Sequence, residues 1–295
     1  MLRLVARGSP LSLAQAEIAI RVLKAADRSL EITLETRVTA GDRNRSTPLS
    51  ELGGRGVFVD GIRHELLSEA AQMAVHSLKD VPTEGAPGLV LGAVLRRGDA
   101  RDAFVGAGGA KFADLLPGST VGTSSTRRTA MLQSARPDIE VVPMRGNVGT
   151  RIQKLTSGEV DGLVLAGVGL ERIGLASQIS EWLDPSIFIP SPGQGAIALE
   201  CRADDTETLD TLKRVDDALT RATTTAERSF LAVQGSNCAL PAGALAEIGA
   251  GRITLRGTLS GQASDAGEIE GPLEDAAKLG AQLGEDLRSR LRAQL

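Results

Sequence analysis

The stretch MLRLVARGSPLSLAQAEIAI, residues 1–20, decides the fold class. Leu2 to Ala6 reads as a short buried strand. It runs directly into Arg7-Gly8-Ser9-Pro10, where Ser9 suits a helix N-cap and Pro10 the first helical position. Leu11, Ala14, Ile18 and Val22 then recur at helical spacing. A buried strand that turns at once into a helix opens an α/β sheet, and the same rhythm continues outward along the chain.

Ile32, Leu34, Thr36 and Val38 alternate as a strand that ends at Thr39-Ala40-Gly41-Asp42. A loop at Gly53-Gly54-Arg55-Gly56 leads to a helix with Phe58, Ile62 and Leu66 on one face, and it lacks the spacing of a Walker loop or a dinucleotide fingerprint. Met73 to Leu78 is a strand ending in Lys79-Asp80, and Leu89 to Val94 is another. The charged run Arg96 to Asp102 reads as a linker. Beyond it strands lead into Gly122 to Arg128, into Arg145-Gly146-Asn147 and into Gly167-Val168-Gly169, each followed by a helical pattern. Ser191-Pro192-Gly193-Gln194-Gly195 reads as a second hinge. The strand Ile197 to Cys201 has no sheet of its own to join, so it returns to the first one.

From about Thr220 the pattern becomes α+β. Thr223, Thr224 and Thr225 are expected to cap a helix running through Phe230. A loop carrying Cys238, an alternating strand (Ile253, Leu255, Gly257, Leu259) and a long helix with Leu279, Leu283, Leu287 and Leu291 follow. The expected domains are 1–95 plus 196–215, 101–190, and 218–295.

Composition narrows the function. The 295 residues are 42% hydrophobic and 24% charged with a formal net charge of −4, a globular profile rather than a nucleic-acid or membrane binder. Aromatics at 2% do not supply the stacking platforms of single-strand binders. Cys201 and Cys238 form no paired motif, and His64 and His76 are too few for a multi-histidine metal centre, so no metal is expected. The N-terminus lacks a signal-peptide pattern and no run of 18 apolar residues occurs, which points to a cytoplasmic protein with no membrane partner.

Arg7, Arg127, Arg128, Arg145, Arg151 and Arg172 each follow a strand, at or near a helix start. The carboxyl ends of strands in an open α/β sheet form the ligand crevice, and helix N-termini favour anions. Six such cations, with hydroxyls at Thr123, Ser124 and Ser125, describe a pocket for a polyanion, with Asp80 the single carboxylate expected among them. From chemistry alone Cys238 is a free surface thiol and His76 a satisfied core residue.

The runs HSLKDVP (76–82), GTSSTRR (122–128) and RGNVGTR (145–151) closely resemble the porphobilinogen deaminase family. ARGSPLSLAQA near the N-terminus, TAGD (39–42), PGQGAIALECR (192–202) and TAERSFL (225–231) agree with it, in order over nearly the whole chain. The resemblance implies a transferase that joins four porphobilinogen units head to tail, releasing ammonia, into linear hydroxymethylbilane. It implies two type II periplasmic-binding-protein-like α/β domains joined by hinges, plus a small α+β C-terminal domain, acting as a monomer. It also implies a dipyrromethane cofactor held by a thioether to Cys238, with Asp80 as the catalytic group. Lys79, Thr123, Ser124, Ser125, Arg127, Arg128, Arg145 and Gly146 match cofactor contacts. Arg7, Ser9, Arg145, Arg151, Arg172 and Gln194 match substrate contacts.

Two departures from the family pattern stand out: Asn237 where Gly commonly precedes the cysteine, and Asp60-Gly61-Ile62-Arg63 at a helix start. The second is expected to alter only a surface or crevice-edge contact. A non-catalytic solute-binding protein of the same architecture would share the arginines but need neither Cys238 nor Asp80. A phosphate-ester enzyme lacks its metal cluster and its Walker loop.

Overall fold

Leu2–Arg7 forms β1, and the residues after it start α1 (Pro10–Ala26) as their chemistry dictates. The Ser9 hydroxyl accepts from the Ser12 amide at 3.3 Å, and Pro10 occupies a first-turn position whose N–H would have no helical partner. The buried stripe of α1 is Ser12, Gln15, Ala16, Ala19 and Leu23, one position off the expected one, and Val22 is exposed. The small Ala16 and Ala19 let the helix lie close to the sheet, where a stripe of branched side chains would hold it away.

The computed structural model describes residues 1–38, 59–235, 241–260 and 264–293. The expectations at Thr39–Asp42, at Gly53–Gly56 and at Phe58, and those at Asn237 and Cys238, lie outside the described residues. The chain divides into two compact units, Met1–Gly98 with Gly195–Arg221, and Asp99–Gln194 with Ala222–Leu295.

In the first unit, β1 is flanked by the parallel strands β2 (Ile32–Arg37) and β3 (Met73–Ser77). β10 (Ile197–Arg202) then lies antiparallel between β3 and β4 (Leu89–Val94), giving the order β2-β1-β3-β10-β4. The late strand therefore does return to the first sheet. Helices α1, α2 (Asp60–Leu67) and α6 (Thr206–Lys213) belong to this unit, and Ile62 and Leu66 of α2 are fully buried as their spacing predicts.

The second unit repeats the pattern. β6 (Thr120–Thr123) is flanked by the parallel β7 (Glu140–Pro143) and β8 (Gly162–Ala166), and β5 (Asp102–Gly106) lies antiparallel between β8 and β9 (Glu181–Trp182). The order β7-β6-β8-β5-β9 matches that of the first sheet, with an antiparallel strand again in fourth place. Two such sheets are the type II periplasmic-binding-protein-like fold. Helices α3 (Thr126–Ala135), α4 (Val148–Thr156) and α5 (Gly167–Arg172) follow β6, β7 and β8. The expected linker is shorter than it looked, because Asp102 already begins β5 and is fully buried.

α7 (Ala218–Ala232) starts before the three threonines, so Thr223, Thr224 and Thr225 lie inside it rather than capping it. A three-stranded antiparallel sheet of β11 (Ala242–Gly249), β12 (Arg252–Ser260) and β13 (Ser264–Pro272) packs against α8 (Ala276–Ala293). Leu279, Leu283, Leu287 and Leu291 form one buried stripe of α8 over Ile253, Leu255 and Leu259, as both periodicities predict.

Candidate active site

Strand order in each sheet reverses beside its first strand, between β1 and β3 and between β6 and β8. The turns after those strands form crevices at the carboxyl ends, where ligands of such sheets bind. In the first unit this brings Arg7, the last residue of β1, and Ser9, just beyond it, together with Lys79 and Asp80, in the short 3-10 turn Leu78–Asp80 that follows β3. Arg7, Ser9, Gln15, His76, Ser77 and Asp80 help to line one pocket of about 60 Å³. The buried Gln15 amide donates to the Ser77 hydroxyl at 2.7 Å, which ties α1 to the strand that presents Asp80.

Behind that pocket lies an ionic group that sequence reasoning missed. Arg63 is buried and clasps Glu200 of β10 through Nε, at 3.1 Å to both carboxylate oxygens, and Nη2, at 2.8 Å. Glu200 is 2% exposed and also lies 3.2 Å from Nε2 of His76. Burial acts to raise the Glu200 carboxyl, but His76 and Arg63 outweigh it and hold it below the usual range. The surface or crevice-edge contact expected at position 63 is therefore corrected to a buried one. The turn of α2 points Arg63 inward.

In the second unit Ser125 caps α3, its hydroxyl accepting from the Arg128 amide at 3.4 Å, and Thr123 Oγ1 accepts from the Ser125 amide at 3.2 Å. Ser124 donates its hydroxyl to the Met144 carbonyl. Asn147 caps α4 through the Thr150 amide at 2.9 Å. Gly146, between them, has φ 110°, and a Cβ there would meet Thr150 side-chain atoms at 2.8 and 2.9 Å, so only glycine fits.

Asp102 organises the arginine pair. Its Oδ2 takes Arg127 at 2.8 Å and its Oδ1 takes Arg128 at 2.7 Å, while the Gln194 amide donates to Oδ1 at 2.8 Å. Arg127 also donates to the Ile189 carbonyl at 2.7 Å, and Arg128 to the Val164 carbonyl at 3.1 Å. Burial would raise the Asp102 carboxyl, but the two guanidinium charges outweigh it and hold it far below the usual carboxylate range. The expectation of Asp80 as the single carboxylate among the cations is thus corrected, since Asp102 pairs with Arg127 and Arg128. Asp102 was missed because it closes a charged run that reads as solvated loop; the only sequence signal was that strand β5 could begin there.

Arg151 donates from Nε to the Gly146 carbonyl at 3.0 Å. Burial, reinforced by the positive charges of Arg128 and Arg145, pushes its guanidinium down to about 10. Arg128 at the start of α3, and Arg145 and Arg151 around the start of α4, follow the neighbouring strands β6 and β7. Arg172 is likewise lowered to about 10, by burial, with Glu171 opposing. It closes α5 rather than opening it, which corrects the expected helix-start placement: α5 has only six residues, and its N-terminus is Gly167. Cys201 is fully buried in β10, and burial pushes its thiol up to about 11, an inert core position.

A family model described as "Porphobilinogen deaminase, dipyromethane cofactor binding domain" matches residues 2–210, and one described as "Porphobilinogen deaminase, C-terminal domain" matches 221–289. The chain belongs to the porphobilinogen deaminase family. Curated relatives named porphobilinogen deaminase include that of Brevibacillus brevis, 44% identical over 85% of this chain and 82% of the relative. That of Geobacillus kaustophilus is 44% identical over 84% and 81% respectively. Among solved structures, the methionine-binding protein MetQ is similar at TM-score 0.46 and 13% identity, over 79% of this chain and 93% of that one. The VFT2 domain of Bordetella pertussis BvgS is similar at TM-score 0.42 and 16% identity, over 72% and 86%. As a porphobilinogen deaminase family member, the chain is an enzyme of tetrapyrrole synthesis that polymerises porphobilinogen into hydroxymethylbilane. Its residues 2–210 match the cofactor-binding domain of that family.

Proposed function

We propose that the arginines of the second unit hold pyrrole carboxylates while Asp80 of the first unit handles the reacting pyrrole. The observation that carries this reading is the placement of Arg128 at the start of α3 and of Arg145 and Arg151 around the start of α4, after the neighbouring strands β6 and β7. Like charges gathered at neighbouring helix starts favour an added carboxylate.

The residues fit a dipyrromethane. Each of its two rings brings an acetate and a propionate, and the Nε–H groups of Arg127 and Arg128 are buried with no hydrogen-bond partner among the described residues. In this reading Arg127, Arg128 and Arg145 take cofactor carboxylates, supported by the Thr123, Ser124 and Ser125 hydroxyls, the Gly146 backbone and Lys79. Gln194 supports the pair through Asp102. Arg7, Ser9, Arg151 and Arg172 take the carboxylates of incoming and growing substrate. Cys238, outside the described residues, is the thioether attachment point. When bound, the cofactor supplies the pyrrole carbon to which the first substrate unit is joined.

Loss of ammonia from porphobilinogen leaves a cationic electrophile whose positive charge is shared by the pyrrole nitrogen. The Asp80 carboxylate accepts from that N–H, and it stabilises the charge more as it develops than before. Its position is fixed by β3 and the Gln15–Ser77 tie rather than by a loop alone.

This reading divides the chain functionally at 1–95 plus 196–215, 101–190 and 218–295, and makes it a cytoplasmic monomer as the resemblance implies. Among the described residues no helix is long and apolar enough to cross a membrane. Intact mass tests the attachment. Cys238→Ser is expected to lose the mass of two pyrrole rings, and Cys201→Ser to keep it. An adduct surviving in the Cys238 variant overturns the assignment.

A further inference from the structure

Glu227, in α7, is a fully buried carboxylate that the reading above leaves without a role. Its oxygens reach two separate segments: Oε2 accepts from the Gly193 N–H at 2.7 Å, and Oε1 from the Ala246 N–H of β11 at 2.9 Å. Gly193 belongs to a tight turn. The Gln194 amide donates back to the Ser191 carbonyl at 2.9 Å, with Pro192 second and Gly193, at φ 75°, third. Proline second and a left-handed glycine third are the marks of a type II turn.

Type I and type II turns differ chiefly by rotation of the peptide between their second and third residues, with the ends little moved. The N–H that Glu227 holds belongs to that peptide. Gln194, the next residue, is fully buried, donating to the Ala100 carbonyl at 2.7 Å and to Asp102 at 2.8 Å, and accepting from Arg128 at 3.4 Å. Asp102 in turn holds both guanidiniums.

We propose that Glu227 is a positioning residue for the Arg127–Arg128 pair: it holds the Pro192–Gly193 peptide in one of two orientations and thereby fixes Gln194, Asp102 and both guanidiniums. The proposal rests on the reading of those arginines as carboxylate ligands. Every link is buried and hydrogen-bonded, so displacement of one is passed to the next rather than absorbed by solvent.

A double-mutant cycle tests it, with the fraction of adduct-bearing chains read by intact mass and kcat measured per adduct-bearing chain. Glu227→Gln can accept one N–H but turns its own amide N–H toward the other donor. It is expected to lower the adduct-bearing fraction about tenfold while kcat per adduct-bearing chain falls less than about threefold, because the displaced guanidiniums hold the cofactor and not the reacting pyrrole. Gln194→Ala should act similarly, and the double variant should be no worse than Gln194→Ala, because one change acts through the other. Arg172→Lys should leave the adduct-bearing fraction unchanged, alone or combined with Glu227→Gln. Glu227→Asp, which withdraws the carboxylate by one methylene, should show the same coupling at smaller size, and it carries the cycle if Glu227→Gln does not fold. Multiplicative effects of the Glu227 and Gln194 changes, or lower stability with the adduct-bearing fraction unchanged, overturn the proposal. A starting protein without any pyrrole adduct overturns the cofactor reading instead, which keeps the two failures apart.

Discussion

Replacing Asp102 by Asn keeps its shape and removes the charge that two buried guanidiniums share at 2.8 and 2.7 Å. Asp102 is fully buried, so solvent cannot take its place. Removing one partner from a buried ion pair typically costs ~3–5 kcal/mol, because the remaining charge stays desolvated. In a unit of this size each kcal/mol moves the melting temperature by ~2–4 °C, so the second unit's transition should fall by roughly 6–20 °C. The pH dependence has a definite sign. The folded Asp102 carboxyl is held far below its ordinary value, so its contribution is complete above the unfolded value near pH ~4 and fades as the pH falls toward the folded one. The gap between parent and Asp102→Asn should therefore be widest near neutrality and narrow in acid. Differential scanning calorimetry at neutral pH and across the acid limb reads both effects. Adding Arg127→Met to Asp102→Asn should recover part of the loss, since one uncompensated cation is then gone. A neutral-pH melting temperature within about 2 °C of the parent would refute the buried-charge argument, given that scale.

Asp80→Asn should lower single-turnover rate by ~10²-fold or more, with substrate affinity changed less, while Asp80→Glu retains partial activity; a near-parental rate for Asn would make Asp80 structural. Arg127→Leu or Arg128→Leu should leave little adduct by intact mass and a less stable chain, whereas Arg172→Leu should keep the adduct and stall elongation. Equal adduct content in all three variants contradicts that division. Arg63→Met strands the buried Glu200 charge and should cost ~3–5 kcal/mol in urea unfolding, and Arg63→Met with Glu200→Met should recover most of it. A single variant as stable as the parent means that the Arg63–Glu200 clasp contributes nothing.

The strand-to-helix rhythm of residues 1–20 and of 120–170 was legible because strand and helix starts are local chemistry. Ser9, Ser125 and Asn147 cap the helices they precede whatever the remote context. The return of β10 to the first sheet was legible for a global reason, since a strand with no sheet must find one. The buried stripe of α1 was misread by one position because the sheet surface, not the helix, selects which side chains it covers. Arg172 was misplaced because six residues of helix leave no room for a start signal to separate from an end.

The sequence by itself determined the candidate ligand residues: the strand-end arginines and Asp80 lie in runs that local rules place at the mouth of an α/β sheet. Only the tertiary structure decided what stands behind them. Arg127 and Arg128 meet Asp102 across 25 and 26 positions, Arg63 meets Glu200 across 137, and Glu227 meets Gly193 across 34. Such contacts leave no periodicity in the chain, because their energy comes from burying a charge beside its partner. Burial is set by which strands become neighbours, and not by what lies next in sequence.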